Sequence, residues 1–222
     1  MWTAFTLRAQ KNVGKFDDIC WIGDARIPID DAPQCTDYDA FIIKEQYILQ
    51  RPLYPPDFSS ASGREQATFV TNSIPKSMNH SKILEEKLNQ ILSEWVREQN
   101  HLNVVMGPAF DIQATGIRPS REHIMNKTGP VVIPTHIFIV ASWCLDRTVS
   151  LEDCDPSALD VHSFLLPNHP YPQNCESATR VLEKNVARVI DVENLAGLSF
   201  YTGLPIYDAI RLRTMMPQRS IS

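Results

Sequence analysis

The chain has 222 residues, 43% of them hydrophobic, and a formal net charge of −5 at pH 7; that length suits one large domain or two small ones. A protein that lives by neutralising phosphates shows a basic face, whereas no Lys/Arg cluster here exceeds two residues and the one basic-leaning stretch is RLRTMMPQR (211–219). Tight, sequence-independent nucleic-acid binding is therefore disfavoured, a local basic groove is still compatible, and no segment approaches the roughly 20 apolar residues of a membrane span.

In chain order, residues 1–50 read as irregular, with short extended pieces at TAFTL (3–7) and DARIPID (24–30), and DYDAFIIKEQYIL (37–49) ending in apolar alternation. MWTAFTLRAQK has no charged region followed by an apolar one, so it does not read as a signal peptide; a secreted protein would carry its leader on a longer chain. A Pro- and Ser-rich turn, LYPPDFSSASG (53–63), precedes ATFVTN (67–72), whose β-branched and aromatic content predicts a strand. Ser81 to Glu98 then switches to helical period: Leu84, Leu88, Ile91, Leu92 and Trp95 fall on one stripe, with Glu85, Glu86, Gln90, Glu94 and Arg97 opposite. Glu85 and Glu86 sit in the first turn, where the helix dipole favours negative charge.

NVVMGPAF (103–110) and VIPTHIFIVASWC (132–144) predict central strands, the second interrupted by Pro134 and His136, and DVHSFLLP (160–167) a third. A second helix is expected near Ser177 to Ile190, with Val181, Leu182, Val186 and Val189 inward, and a short last one over Tyr207 to Met215. Strands and helices interleave without a βαβ rhythm, which favours α+β over a doubly wound fold. No repeat and no linker divides the chain.

Five cysteines are present, Cys20, Cys35, Cys144, Cys154 and Cys175, with no CxxC and no zinc-type spacing. They fit either scattered buried thiols or disulfides with one partner outside the chain. Two glycosylation triplets, Asn79-His80-Ser81 and Asn126-Lys127-Thr128, favour the second reading and a secretory compartment.

Several segments together resemble the nuclease-like domain of the ectonucleotide pyrophosphatase/phosphodiesterase family: LYPPDF (53–58), TNSIPKS (71–77), NVVMGPAFD (103–111), VIPTHIFIVASWC (132–144), FLLPNHP (164–170) and ARVIDVENLAGLSFY (187–201). They keep the family's order and cover nearly the whole chain. The resemblance implies a single domain over 1–222, with residues 1–50 packed on it. Its fold would be that of DNA/RNA non-specific endonucleases, α+β of the ββα-metal type, with a central antiparallel sheet flanked by helices. In that family the domain follows a catalytic phosphodiesterase domain, which would lie upstream of this chain and be its partner.

Hydrolysis by such a nuclease needs a general base for water and a hard divalent cation on the phosphate. The resemblance places the base, a His after Arg-Gly, at Pro52, where the tripeptide is Gln50-Arg51-Pro52. It places the metal-holding Asn at Ser81, two residues from Asn79. Neither position keeps the chemistry, so no catalytic residue is assigned. A displaced histidine would have to substitute: His80 lies near the helix start, His136 in a strand as a core or supporting residue, and His101, His123, His162 and His169 in loops or strand ends.

The family's EF-hand-like calcium loop corresponds to residues 111–119, where Asp111, Gln113, Thr115 and the Ile117 carbonyl are the candidate ligands and Gly116 the turn. Calcium affinity rises with carboxylate count, so this loop implies weak calcium binding at most. The resemblance pairs Cys144 with Cys154, ties Cys175 to the phosphodiesterase domain and Cys20 and Cys35 to an upstream linker.

The reading is a catalytically degenerate nuclease-like domain of an extracellular protein, secreted or part of a membrane-anchored ectodomain, supporting a phosphodiesterase or nucleotide pyrophosphatase domain. It needs no cofactor and takes no nucleic acid; nucleic-acid and metal binding belong to the family. The alternative is an active extracellular endonuclease using Mg²⁺ on DNA or RNA phosphodiesters. No GxSxG, Walker loop or GxGxxG is present. A Cys144–His136 nucleophile pair would need a free thiol, which the disulfide reading removes.

Overall fold

A computed structural model of the chain describes residues 2–8, 21–28, 30, 32–38, 48–59, 64–120, 122, 124, 131–168, 176–217 and 221, with the side chains of 64 and 78–82 left aside. Five strands form an antiparallel sheet: β1 (Thr3–Arg8), β4 (His101–Ala109), β5 (His136–Cys144), β6 (Leu159–Pro167) and β7 (Val186–Ala187), in the order β1-β4-β5-β6-β7. A separate hairpin-like pair, β2 (Ile48–Pro52) with β3 (Ser73–Ser77), aligns Pro52 with Ser73 and Gln50 with Pro75. The helices are α1 (Arg64–Ala67), α2 (Met78–Gln99), α3 (Ala178–Lys184), α4 (Val189–Ala196) and α5 (Ile206–Thr214). The expected α+β class and central antiparallel sheet with flanking helices are both present.

Helices cover both faces of the sheet, which explains why β5 reads as a near-continuous apolar run although it is antiparallel. Strand side chains alternate between faces. Ile139, Ala141 and Trp143 therefore join one core with Leu84, Leu88, Ile91, Leu92 and Trp95 of α2. Phe138 and Val140 join a second core with Val189, Val192 and Leu195 of α4 and Leu212 of α5. All five residues of the expected α2 stripe are buried.

Within the extended piece expected at 24–30, residues 24–27 form a turn instead, closed by the Ile27 N–H on the Asp24 carbonyl at 3.1 Å. The strand expected at 67–72 is not there either. Residues 70–72 form a 3-10 turn and the strand is displaced to Ser73–Ser77. Local side chains compete for the backbone: the Thr68 hydroxyl donates to the Glu65 carbonyl at 2.8 Å, and Asn72 Nδ2 donates to the Ala67 carbonyl at 2.7 Å. The helix expected at Ser177–Ile190 is broken in two. Asn185 ends α3, its side-chain amide donating to the Val181 carbonyl at 2.8 Å, and Val186–Ala187 instead pairs with Ser163–Phe164 of β6.

β5 begins at His136, four residues later than expected, because Thr135 turns aside: its hydroxyl accepts from the Asp111 N–H at 2.7 Å and donates to the Ala109 carbonyl at 3.2 Å. Cys144, the last residue of β5, is bonded to Cys154, with Cα atoms 5.9 Å apart.

Candidate functional site

β2, β3, the start of α2 and the ends of β5 and β6 meet around a cavity of about 130 Å³. Pro52, the expected position of the general base, is buried on its wall as the last residue of β2. It carries no titratable group, and its carbonyl already accepts from Lys76 Nζ at 3.1 Å.

The charged groups on that wall were not read as a unit from sequence. Lys76, only 5% exposed on β3, donates to Glu85 Oε1 at 2.6 Å, while Arg51 Nη2 of β2 donates to Glu85 Oε2 at 2.9 Å. Glu85 was expected on the solvent face of the helix, opposite the apolar stripe. Instead it turns onto the hairpin, because two cations stand there, Lys76 buried and the Arg51 side chain 32% exposed. Burial pushes its carboxyl up, but the attraction and hydrogen bonds of Lys76 and Arg51 outweigh that and hold it below the ordinary 4.5. The one legible signal was Lys76 itself, a lysine between Pro75 and Ser77 in a strand whose residues are all buried.

Such an arrangement does not fit a divalent cation. A hard cation needs free oxygen ligands, yet both Glu85 oxygens face cationic partners, and a metal here would meet two positive charges. Asp57 at the rim accepts from Asn89 Nδ2 at 3.4 Å. Among the described residues, no group of three His, Cys, Asp or Glu is placed to hold a metal. The side chains of Asn79, His80 and Ser81 lie outside the described residues.

Asn168 fastens the cavity's far side. Its Oδ1 accepts from the Ser77 N–H at 3.0 Å, and its Nδ2 donates to the carbonyls of Pro75 and Pro134, each at 3.0 Å. One buried amide thus ties β3 to the segments entering β5 and leaving β6. Asn168→Ala is expected to cost roughly 2–3 kcal/mol, since a buried N–H and two carbonyls lose their partner at once. Urea denaturation of the purified chain measures it, and a change below about 0.5 kcal/mol, the level of an ordinary surface substitution, would contradict this account.

The calcium-like loop stands apart from the cavity, near α4. The Asp111 carboxylate accepts from the backbone of Thr115 at 2.8 Å and of Gly116 at 3.1 and 3.2 Å. Gln113, Thr115 and Ile117 are exposed, and Gly116 adopts φ 71°. The Arg118 N–H docks on the Asn194 carbonyl of α4 at 2.9 Å. The loop is closed by its own amides and offers one carboxylate.

None of the described histidines lines the cavity. His162 was expected in a loop or strand end; it is a buried residue inside β6, its ring 4.9 Å from Trp95 and 4.7 Å from Phe164. Inward alternation along β6 puts it there. His101 opens β4, and His136 Nδ1 lies 3.0 Å from the Thr135 hydroxyl. Cys35 is exposed and has no sulfur partner among the described residues. Cys20, Cys175, Asn126, His123 and His169 fall outside the described residues.

Comparison with known proteins agrees with this fold. The sequence profile of the DNA/RNA non-specific endonucleases matches residues 53–206. Venom phosphodiesterase of Naja atra is 35% identical over 211 residues, which is 87% of this chain and 24% of that protein. Venom phosphodiesterase of Macrovipera lebetinus is 31% identical over 98% of the chain and 27% of its own length. Ectonucleotide pyrophosphatase/phosphodiesterase family member 3 of Mus musculus is 29% identical over 98% of the chain and 26% of its own length. The chain thus spans about a quarter of the length of these relatives.

Proposed function

Because this chain belongs to the DNA/RNA non-specific endonuclease family, we propose that it is a catalytically degenerate member whose role is to support a phosphodiesterase or nucleotide pyrophosphatase domain of an extracellular protein. The observation that carries this reading is the Arg51–Glu85–Lys76 cluster beside Pro52. Where a nuclease needs a base and a cation, this chain has a proline and a carboxylate bonded to two cations. Among the described residues around Pro52, no group of three metal-ligating side chains accompanies that cluster, which supports the loss of water activation there.

Three features support the second half. The relatives are named phosphodiesterases, and the chain corresponds to a quarter of each. The Cys144–Cys154 bond suits an oxidising compartment. On the outer face of α5, Ile206, Tyr207 and Ile210 are 79%, 76% and 51% exposed, an apolar strip that a neighbouring domain would cover. Asp111 alone makes calcium a weak ligand in this reading, and Cys20, Cys35 and Cys175 are the bonds to the rest of the protein.

The test is secretion. In Naja atra venom phosphodiesterase, deletion of the matching quarter is expected to abolish release of active enzyme from cultured cells, and replacement by this chain to restore it. Normal release of the deleted form would contradict the reading. The rival, an active endonuclease using His80, rests on the family match alone; its mark would be a metal-dependent cutting activity lost in His80→Ala.

A further inference from the structure

The cavity has lost nuclease chemistry but has not been filled. Its inner wall is apolar, from Leu84 and Leu88 of α2, Met106 of β4, Ile139 of β5 and Leu166 of β6. Its polar end holds two buried donors that make no hydrogen bond among the described residues, the Ser77 hydroxyl and Arg51 Nε–H. Ser77 is 1% exposed and stands at the N-cap position of the 22-residue α2, where a serine hydroxyl ordinarily bonds the helix backbone, yet it makes no cap bond. Buried polar groups in native proteins are almost always satisfied, so two orphans lining one cavity point to a missing acceptor.

The charge points to the kind of acceptor. Two cations, Arg51 and Lys76, stand against the carboxylate of Glu85, and Asp57, the other charged residue on the wall, is engaged by Asn89. A carboxylate placed there would accept from the Ser77 hydroxyl and Arg51 Nε–H. The size sets the rest: a dry cavity of about 150 Å³ holds a benzene ring, and this one measures about 130 Å³.

We propose that this cavity binds a small free monocarboxylate with a compact apolar body of roughly five to seven carbons. The carboxylate sits against Ser77 and Arg51, and the apolar body lies on Leu88, Met106 and Ile139. The site goes beyond the supporting role proposed above and can fail independently of it, since one is read as ligand binding and the other as secretion and cutting.

The experiment titrates the whole chain with benzoate, benzyl alcohol and inorganic phosphate by calorimetry, and follows the Met106 methyl resonance by NMR. Benzoate is expected to bind with a millimolar or tighter Kd and to shift the Met106 methyl. Benzyl alcohol, lacking the charge, is expected to bind at least about ten-fold more weakly, as for loss of one charge-assisted hydrogen bond. Ser77→Ala removes a hydroxyl that makes no bond among the described residues, so it is expected to leave Tm unchanged while weakening benzoate about three- to ten-fold. Leu88→Phe, which occupies the cavity, is expected to abolish binding. No binding of benzoate at 10 mM, an order of magnitude beyond the expected Kd, would overturn the proposal. So would equal binding of benzyl alcohol or phosphate, or benzoate binding that leaves the Met106 methyl in place. The wild-type NMR reading decides even if a variant fails to fold.

Discussion

Trp95→Ala is expected to be among the most damaging single changes in this chain, costing about 4 kcal/mol, the middle of the range for truncating a buried aromatic to alanine. Trp95 is 3% exposed on α2 and reaches across to three rings: Trp143 of β5 at 5.6 Å, and His162 and Phe164 of β6 at 4.9 and 6.3 Å. Removing it opens a cavity at the point where α2 presses on the sheet. The surrounding rings belong to two paired strands and cannot all move in. For a domain of this size the loss corresponds to roughly 8–16 °C in Tm. Trp95→Phe keeps most of the stack and is expected to lose less than half as much. Thermal unfolding followed by circular dichroism measures both, and a drop under about 3 °C for Trp95→Ala would mean that this contact does not hold α2 to the sheet.

Glu85→Leu is expected to cost about 3 kcal/mol at pH 7, because it leaves Lys76 and Arg51 facing a poorly solvated wall with no countercharge. The effect belongs to the cluster rather than to the carboxylate alone. Replacing all three members together, Arg51→Met, Lys76→Met and Glu85→Leu, is expected to recover most of the loss, since apolar substitutes of similar volume remove the desolvation along with the attraction. The pH dependence follows from the lowered pKa of Glu85. Its charged form is favoured in the fold, so its contribution is fully present above the ordinary 4.5 and is lost as pH falls through the folded value. The stability gap between wild type and Glu85→Leu is therefore expected to hold between pH 5 and 8 and to narrow toward pH 3. A gap that is constant on acidification would show that the cluster is not ionic.

The family and the sheet were legible because their signals are long. β5 and β6 are strands of nine residues paired along their whole length, β5 largely apolar, and α2 keeps one apolar stripe from Leu84 to Trp95. The likeness of LYPPDF, TNSIPKS and the later segments to the nuclease-like domain of ectonucleotide pyrophosphatase/phosphodiesterases is borne out by the relatives and by the endonuclease profile. Short elements were misread where side chains settle the backbone locally. Thr68 and Asn72 bend 67–72 into a turn, and Asn185 ends a helix that propensity would continue.

The candidate site was half legible. That Pro52 cannot act as a base follows from its chemistry alone. What stands in its place did not: the helical pattern put Glu85 in solvent, because periodicity reports which residues are apolar and says nothing of a cation waiting on the next strand. Asn168 was equally hidden, since its three bonds join segments far apart in the chain, 91 residues in the case of Ser77.

The central claim is that the cavity around Pro52 holds an ion-paired Arg51–Glu85–Lys76 cluster and no hydrolytic site. Its most direct measurement is cleavage of supercoiled plasmid and of RNA by the purified chain, with Mg²⁺, Mn²⁺ or EDTA, beside Pro52→His. The account predicts no cutting above buffer by either protein, because restoring a histidine leaves the Arg51–Glu85–Lys76 cluster in place and Ser81 at the expected metal-holding position. Cutting by the natural chain that EDTA abolishes and that follows the protein through purification would contradict it.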